Sequence, residues 1–121
     1  MKKILFLFLL VSSFSFSQQN SLTAKLENSG QFKENKVNGK FTFIFPKDLK
    51  PEEINKNAQF YVNYFTVQIN KRNEVITITM LENSQKNRQI IQRFLLANNI
   101  KSIDIDNKII SVSQFYNEYL K

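Results

Sequence analysis

Phe65 to Leu81, FTVQINKRNEVITITML, is the stretch on which the fold turns. Phe65, Val67 and Ile69 alternate with Thr66, Gln68 and Asn70, and a period of two belongs to a strand with one buried face. Asn70-Lys71-Arg72-Asn73-Glu74 interrupts the alternation with polar residues. Val75 to Leu81 then resumes it, with Ile76, Ile78 and Met80 set against Val75, Thr77 and Thr79. Two alternating runs joined by a polar turn make an antiparallel hairpin. Its first strand is expected at the edge of the sheet, where it is free to accept another strand.

Working back from the hairpin, Lys40 to Phe45 (KFTFIF) alternates with Phe41, Phe43 and Phe45 inward and Thr42 and Ile44 outward. Pro46 stops that strand because it cannot donate to a ladder. Asp48 is the expected N-cap of a helix over about Leu49 to Tyr64, with Pro51, Glu52 and Glu53 in its first turn and Ile54, Ala58, Tyr61, Val62 and Phe65 on its buried stripe. Working forward, Asn83 or Ser84 caps a second helix with the stripe Asn87, Ile90, Ile91, Phe94 and Leu95, closed by Asn98-Asn99. Lys101 to Asp106 reads as a fourth strand with Ile103 and Ile105 inward. Ser111-Val112-Ser113-Gln114 matches a capping box before a short terminal helix carrying Phe115, Tyr116, Tyr119 and Leu120. The order strand, helix, strand, strand, helix, strand predicts an α+β, ferredoxin-like βαββαβ domain over residues 40–121. In it a four-stranded antiparallel sheet carries two helices on one face, and a short C-terminal helix follows.

The run from Lys40 to Asp106 resembles the heavy-metal-associated (HMA) domain of copper and zinc metallochaperones, most closely in the hairpin VQINKRNEVITITM. The likeness covers about two thirds of the mature chain. That family implies a Cys-x-x-Cys pair at the first strand–helix junction, where two thiolates capture a soft metal. Here the junction is Phe45-Pro46-Lys47-Asp48-Leu49-Lys50, so the metal function is carried over to no residue and no cofactor is expected.

The N-terminus sets the expected compartment. Met1-Lys2-Lys3, the apolar run Ile4 to Val11 and the small-residue tail Ser12 to Ser17 read as a bacterial signal peptide over residues 1–17, with Ser15 and Ser17 flanking the cleavage point. The apolar run is shorter than the about 20 residues of a membrane span. Membrane contact is therefore expected only through the export signal, and the mature chain is expected in the periplasm or outside the cell. The segment 18–39 holds both glycines and reads as a polar lead-in, mobile or a loose extra strand, since Leu22, Ala24 and Leu26 alternate as a short strand does before NSGQFKENKVNG reads as turns.

Composition narrows the chemistry. The chain has no cysteine and no histidine, which excludes disulfides, thiol nucleophiles and histidine acid–base catalysis. Asp104-Ile105-Asp106-Asn107 has the opening rhythm of a calcium loop but lacks its glycine, and Phe115 stands where the bidentate acid belongs. An enzyme is not expected. The strand positions that would stack bases carry Val75, Thr77 and Thr79, so nucleic acid is not an expected partner either.

A non-enzymatic exported interaction domain is the expectation that remains. Its partner is expected to be another envelope protein or an anionic envelope component, met through the aromatics Phe60, Tyr64, Tyr116 and Tyr119. The alternative is a periplasmic module for a small anion or acidic glycan. Lys47, Lys50, Arg88 and Arg93 would hold the ligand in a mature chain of 15 basic against 10 acidic residues, net +5.

Overall fold

The computed structural model describes residues 21–121, so the expected leader over residues 1–17 lies outside the described residues. The chain forms a mixed α+β fold. In order it runs β1 (Leu22–Lys25), α1 (Ser29–Val37), β2 (Lys40–Ile44), α2 (Pro51–Ala58), a 3₁₀ turn (Gln59–Tyr61), β3 (Phe65–Asn70), β4 (Val75–Met80), α3 (Gln85–Ala97), β5 (Ile100–Ile105), β6 (Lys108–Ser111) and α4 (Val112–Phe115), the last continuing as a π turn through Leu120.

The strands make one six-stranded sheet in the order β3-β4-β2-β1-β5-β6. Every pairing is antiparallel except β1 with β5, which is parallel. This corrects the four-stranded antiparallel expectation in two places. The first correction concerns β1: the short alternating strand is not a loose extra one but lies inside the sheet between β2 and β5, with Ala24 and the following Leu26 buried on one face. The segment beyond it is α1, not turns. Asn28 caps that helix by accepting from Gln31 N at 2.6 Å, and Phe32 is its buried residue. The second correction is β6. Asp106 and Asn107 both have positive φ, 51° and 68°, the geometry of a two-residue hairpin turn in which Asn and Asp are tolerated. The residues with a calcium-loop rhythm are thus the turn of the β5–β6 hairpin.

Two further boundaries move. Asp48 does not cap α2; Lys50 occupies that position without a side-chain hydrogen bond, and Pro51 follows as the first helical residue. The reason is a turn closed by Leu49 N donating to Pro46 O at 3.1 Å, which takes Asp48 up before the helix begins. Val62, expected inward, is 53% exposed. The helix tightens to 3₁₀ at Gln59–Tyr61, and the change from 3.6 to 3.0 residues per turn shifts the phase of everything after it.

The remaining pattern is as the alternation predicts. Phe41, Phe43, Phe45, Phe65, Ile76, Ile78, Met80, Ile103 and Ile105 are buried, as are Ile91, Phe94 and Leu95 of α3. Two aromatic groups fill the layer between helices and sheet. Phe32, Phe41, Phe43 and Phe115 surround one another at centroid distances of 5.4 to 5.9 Å. Phe65, Phe94 and Tyr61 make the second group at 5.7 to 5.9 Å. Each buried phenylalanine contributes about 1.5–3 kcal/mol from apolar burial, which is how a chain without disulfides holds this sheet.

Candidate functional site

β3 is the end strand of the sheet, as expected for the first strand of the hairpin. Leu81 N donates to Tyr64 O at 3.0 Å, and Phe65 faces Met80 in the register that follows. Hydrogen bonding alternates along an antiparallel pair, so Thr66, Gln68 and Asn70 turn their main-chain groups into β4. Phe65, Val67 and Ile69 therefore turn theirs to the side that no strand of the described residues covers. The other flank of β4 agrees: Met80 N donates to Gly39 O at 2.8 Å and Glu74 O accepts from Phe45 N at 3.0 Å, both toward β2. The edge carries no charge and no proline, whereas natural sheets commonly guard an edge with one or the other.

The expected aromatics divide between two environments. Phe60 is 75% exposed and Tyr64 is 37% exposed, and both lie in the segment that leads into β3. Tyr116 and Tyr119 are half-buried against the core. The ring of Tyr119 stacks on Phe115 at 5.7 Å and meets the edge of Phe32 at 6.3 Å, while Lys33 Nζ sits 5.7 Å from its centroid. Leu81 and Val37 are exposed apolar residues that sequence reasoning passed over. Both sit at the Tyr64 end of the sheet: Leu81 through its bond to Tyr64 O, and Val37 through Asn83 Nδ2, which donates to Val37 O at 3.3 Å. Leu81 lies one residue past the end of its strand and Val37 at the end of a helix with no amphipathic stripe, so no sequence period marks either as exposed.

The four basic residues named from the sequence are not one site. Lys47 and Lys50 stand at the end of β2 that leads into α2, beside Lys71. Arg88 is at the opposite end of β2 and β4, and its guanidinium is engaged. Nε donates to Leu120 O at 2.7 Å and Nη1 to Asn83 Oδ1 at 2.9 Å. Arg93 is exposed on α3. Lys36 Nζ donates to Lys121 O at 3.0 Å. Partial burial, then the nearby Arg88 charge, hold the Lys36 ammonium pKa below its ordinary value.

The uncovered face of the sheet is polar. Thr42 pairs with Thr77, Thr66 with Thr79 and Gln68 with Thr77, and farther along Thr23 Oγ1 lies 2.7 Å from Ser102 Oγ. Among the described residues no group of three His, Cys, Asp or Glu side chains is placed to hold a metal ion. The chain matches no family model, no curated protein and no solved structure.

Proposed function

We propose that this protein is an exported, non-enzymatic interaction domain that receives an extended segment of another envelope protein along β3. The open main-chain groups of Phe65, Val67 and Ile69 carry this reading. An added strand satisfies them directly, and main-chain bonding of this kind supplies affinity while flanking side chains select the partner. The exposed Phe60 and Tyr64, placed just before the strand, supply the aromatic contact area in which binding hot spots are enriched. Tyr116 and Tyr119, half-buried in the C-terminal helix, pack against the core, Tyr119 on the Phe32–Phe115 group, and are not needed by this reading.

The framework reading belongs with this proposal. β2, α2, β3, β4, α3 and β5 follow in the order of a ferredoxin-like unit, with β1 inserted between its first and last strands and β6 added outside. We read the protein as an HMA-like unit elaborated in this way, whose strand–helix loop no longer serves a metal. Selection from a library of displayed peptides against the purified protein tests the function. The expected winners are extended, β-forming sequences whose binding is lost in Val67→Pro, which removes one outward N–H. Binders that ignore this substitution, or that are helical, contradict the proposal.

A further inference from the structure

At the end of the sheet where β2 passes into α2, a pocket of about 140 Å³ lies between the loop Phe45 to Pro51 and the β3–β4 turn. Its floor is formed by the buried side chains of Phe45, Ile54 and Ile76. Its charged lining is three cations, Lys47, Lys50 and Lys71, against one acid, Glu74. Glu74 itself sits in the left-handed region, φ 58°, and its carbonyl accepts from Phe45 N, extending the β2–β4 ladder to the start of the loop at the pocket's edge.

The two halves of this lining ask for different things from a ligand. A phosphate or a sugar can use the ammonium groups but gains nothing from an apolar floor, since burying polar groups without partners is costly. A hydrocarbon uses the floor and leaves the lysines idle. The volume is near the about 150 Å³ of an apolar cavity that holds a benzene ring. We propose that this pocket binds a compact apolar body bearing a single carboxylate, an aryl or branched-chain acid, with the body on the Phe45–Ile54–Ile76 floor and the carboxylate toward Lys47, Lys50 and Lys71. The inference stands apart from the reading of the β3 edge. It gives the loop at the strand–helix junction a ligand of a different class from a metal.

Amide NMR titration of the purified protein with phenylacetate tests it, with phenylethanol supplying the body without charge, and acetate and inorganic phosphate the charge without body. The expected result is saturable movement of the Leu49, Lys50 and Ile69 to Glu74 amides with a midpoint of about 1 mM or lower. All three controls are expected to be at least about tenfold weaker, and raising the salt is expected to weaken phenylacetate but not phenylethanol. The exposed-side-chain variant Lys47→Gln/Lys50→Gln/Lys71→Gln is expected to stay folded and bind phenylacetate no better than phenylethanol. No saturable shift at these residues, equal shifts from acetate or phosphate, or undiminished binding by the triple variant would overturn the assignment.

Discussion

Asn98 closes α3 with its side chain as well as its backbone. Its Nδ2 donates to Phe94 O at 2.8 Å and its Oδ1 accepts from Asn57 Nδ2 at 2.8 Å, so one buried amide ties α3 to α2. Asn98→Ala removes two side-chain hydrogen bonds while Asn98 N still donates to Phe94 O, and at about 0.5–1.5 kcal/mol per bond it is expected to cost about 1–3 kcal/mol in chemical denaturation. Among the described residues, Lys36 is the ionisable group whose setting offers a pH test. Because its folded pKa lies below the ordinary 10.5, the protonated form is disfavoured by folding. That cost is present below the folded value and disappears as pH rises through it toward 10.5. An Nζ-detected titration is expected to place the Lys36 midpoint below 10.5, and Arg88→Gln to raise it toward that value. At this scale much was legible, since Asn98-Asn99 reads as a helix stop and Asn99 indeed adopts φ 63°. The burial of Asn98 was not, because its partner Asn57 comes from a different helix.

At the level of elements, the hairpin offers the sharpest comparison. Val67→Pro and Gln68→Pro place the same ring one residue apart on one strand, but only Gln68 turns its N–H toward β4. Proline is tolerated on an edge strand where the missing donor faces solvent and disfavoured where it removes a ladder bond. Gln68→Pro is therefore expected to be the more destabilising of the two, read from urea midpoints at unchanged m. Elements with a strong period were readable in the sequence: the marked stripes of β2, β4 and β5 are buried, those of β3 and α3 are buried or partly buried against the core, and that of α2 is buried as far as Ala58 and lost at Val62. Helix α1 was not, because SGQFKENKV carries a single buried residue, Phe32. A helix held by one aromatic docked on Phe41, Phe43 and Phe115 leaves no periodic trace. Strand β6 escaped for another reason. Asp106-Asn107 has the residue types of both an acidic loop and a tight turn, and only the backbone angles distinguish them.

Across the whole molecule, β1 is the joint. The strands β3, β4 and β2 form one group and β1, β5 and β6 another, and the two meet at the single register pair Lys25 with Ile44. The segment read from sequence as a polar lead-in therefore holds the two halves together and supplies Phe32 to the aromatic core. Removing residues 21–37 from the protein is expected to abolish cooperative unfolding and NMR dispersion, where loss of a loose lead-in would change neither. The proposed function rests on the far end of the sheet, where β3 is the end strand. The most direct measurement is photo-crosslinking in the native host from a reactive residue placed at Gln68, compared with the same residue at Lys101 on β5, with and without Val67→Pro. A discrete protein adduct formed from position 68 alone and lost with Val67→Pro is the predicted result. No adduct from position 68, or one that persists when the outward N–H of Val67 is gone, would contradict the assignment of β3 as the partner-receiving edge.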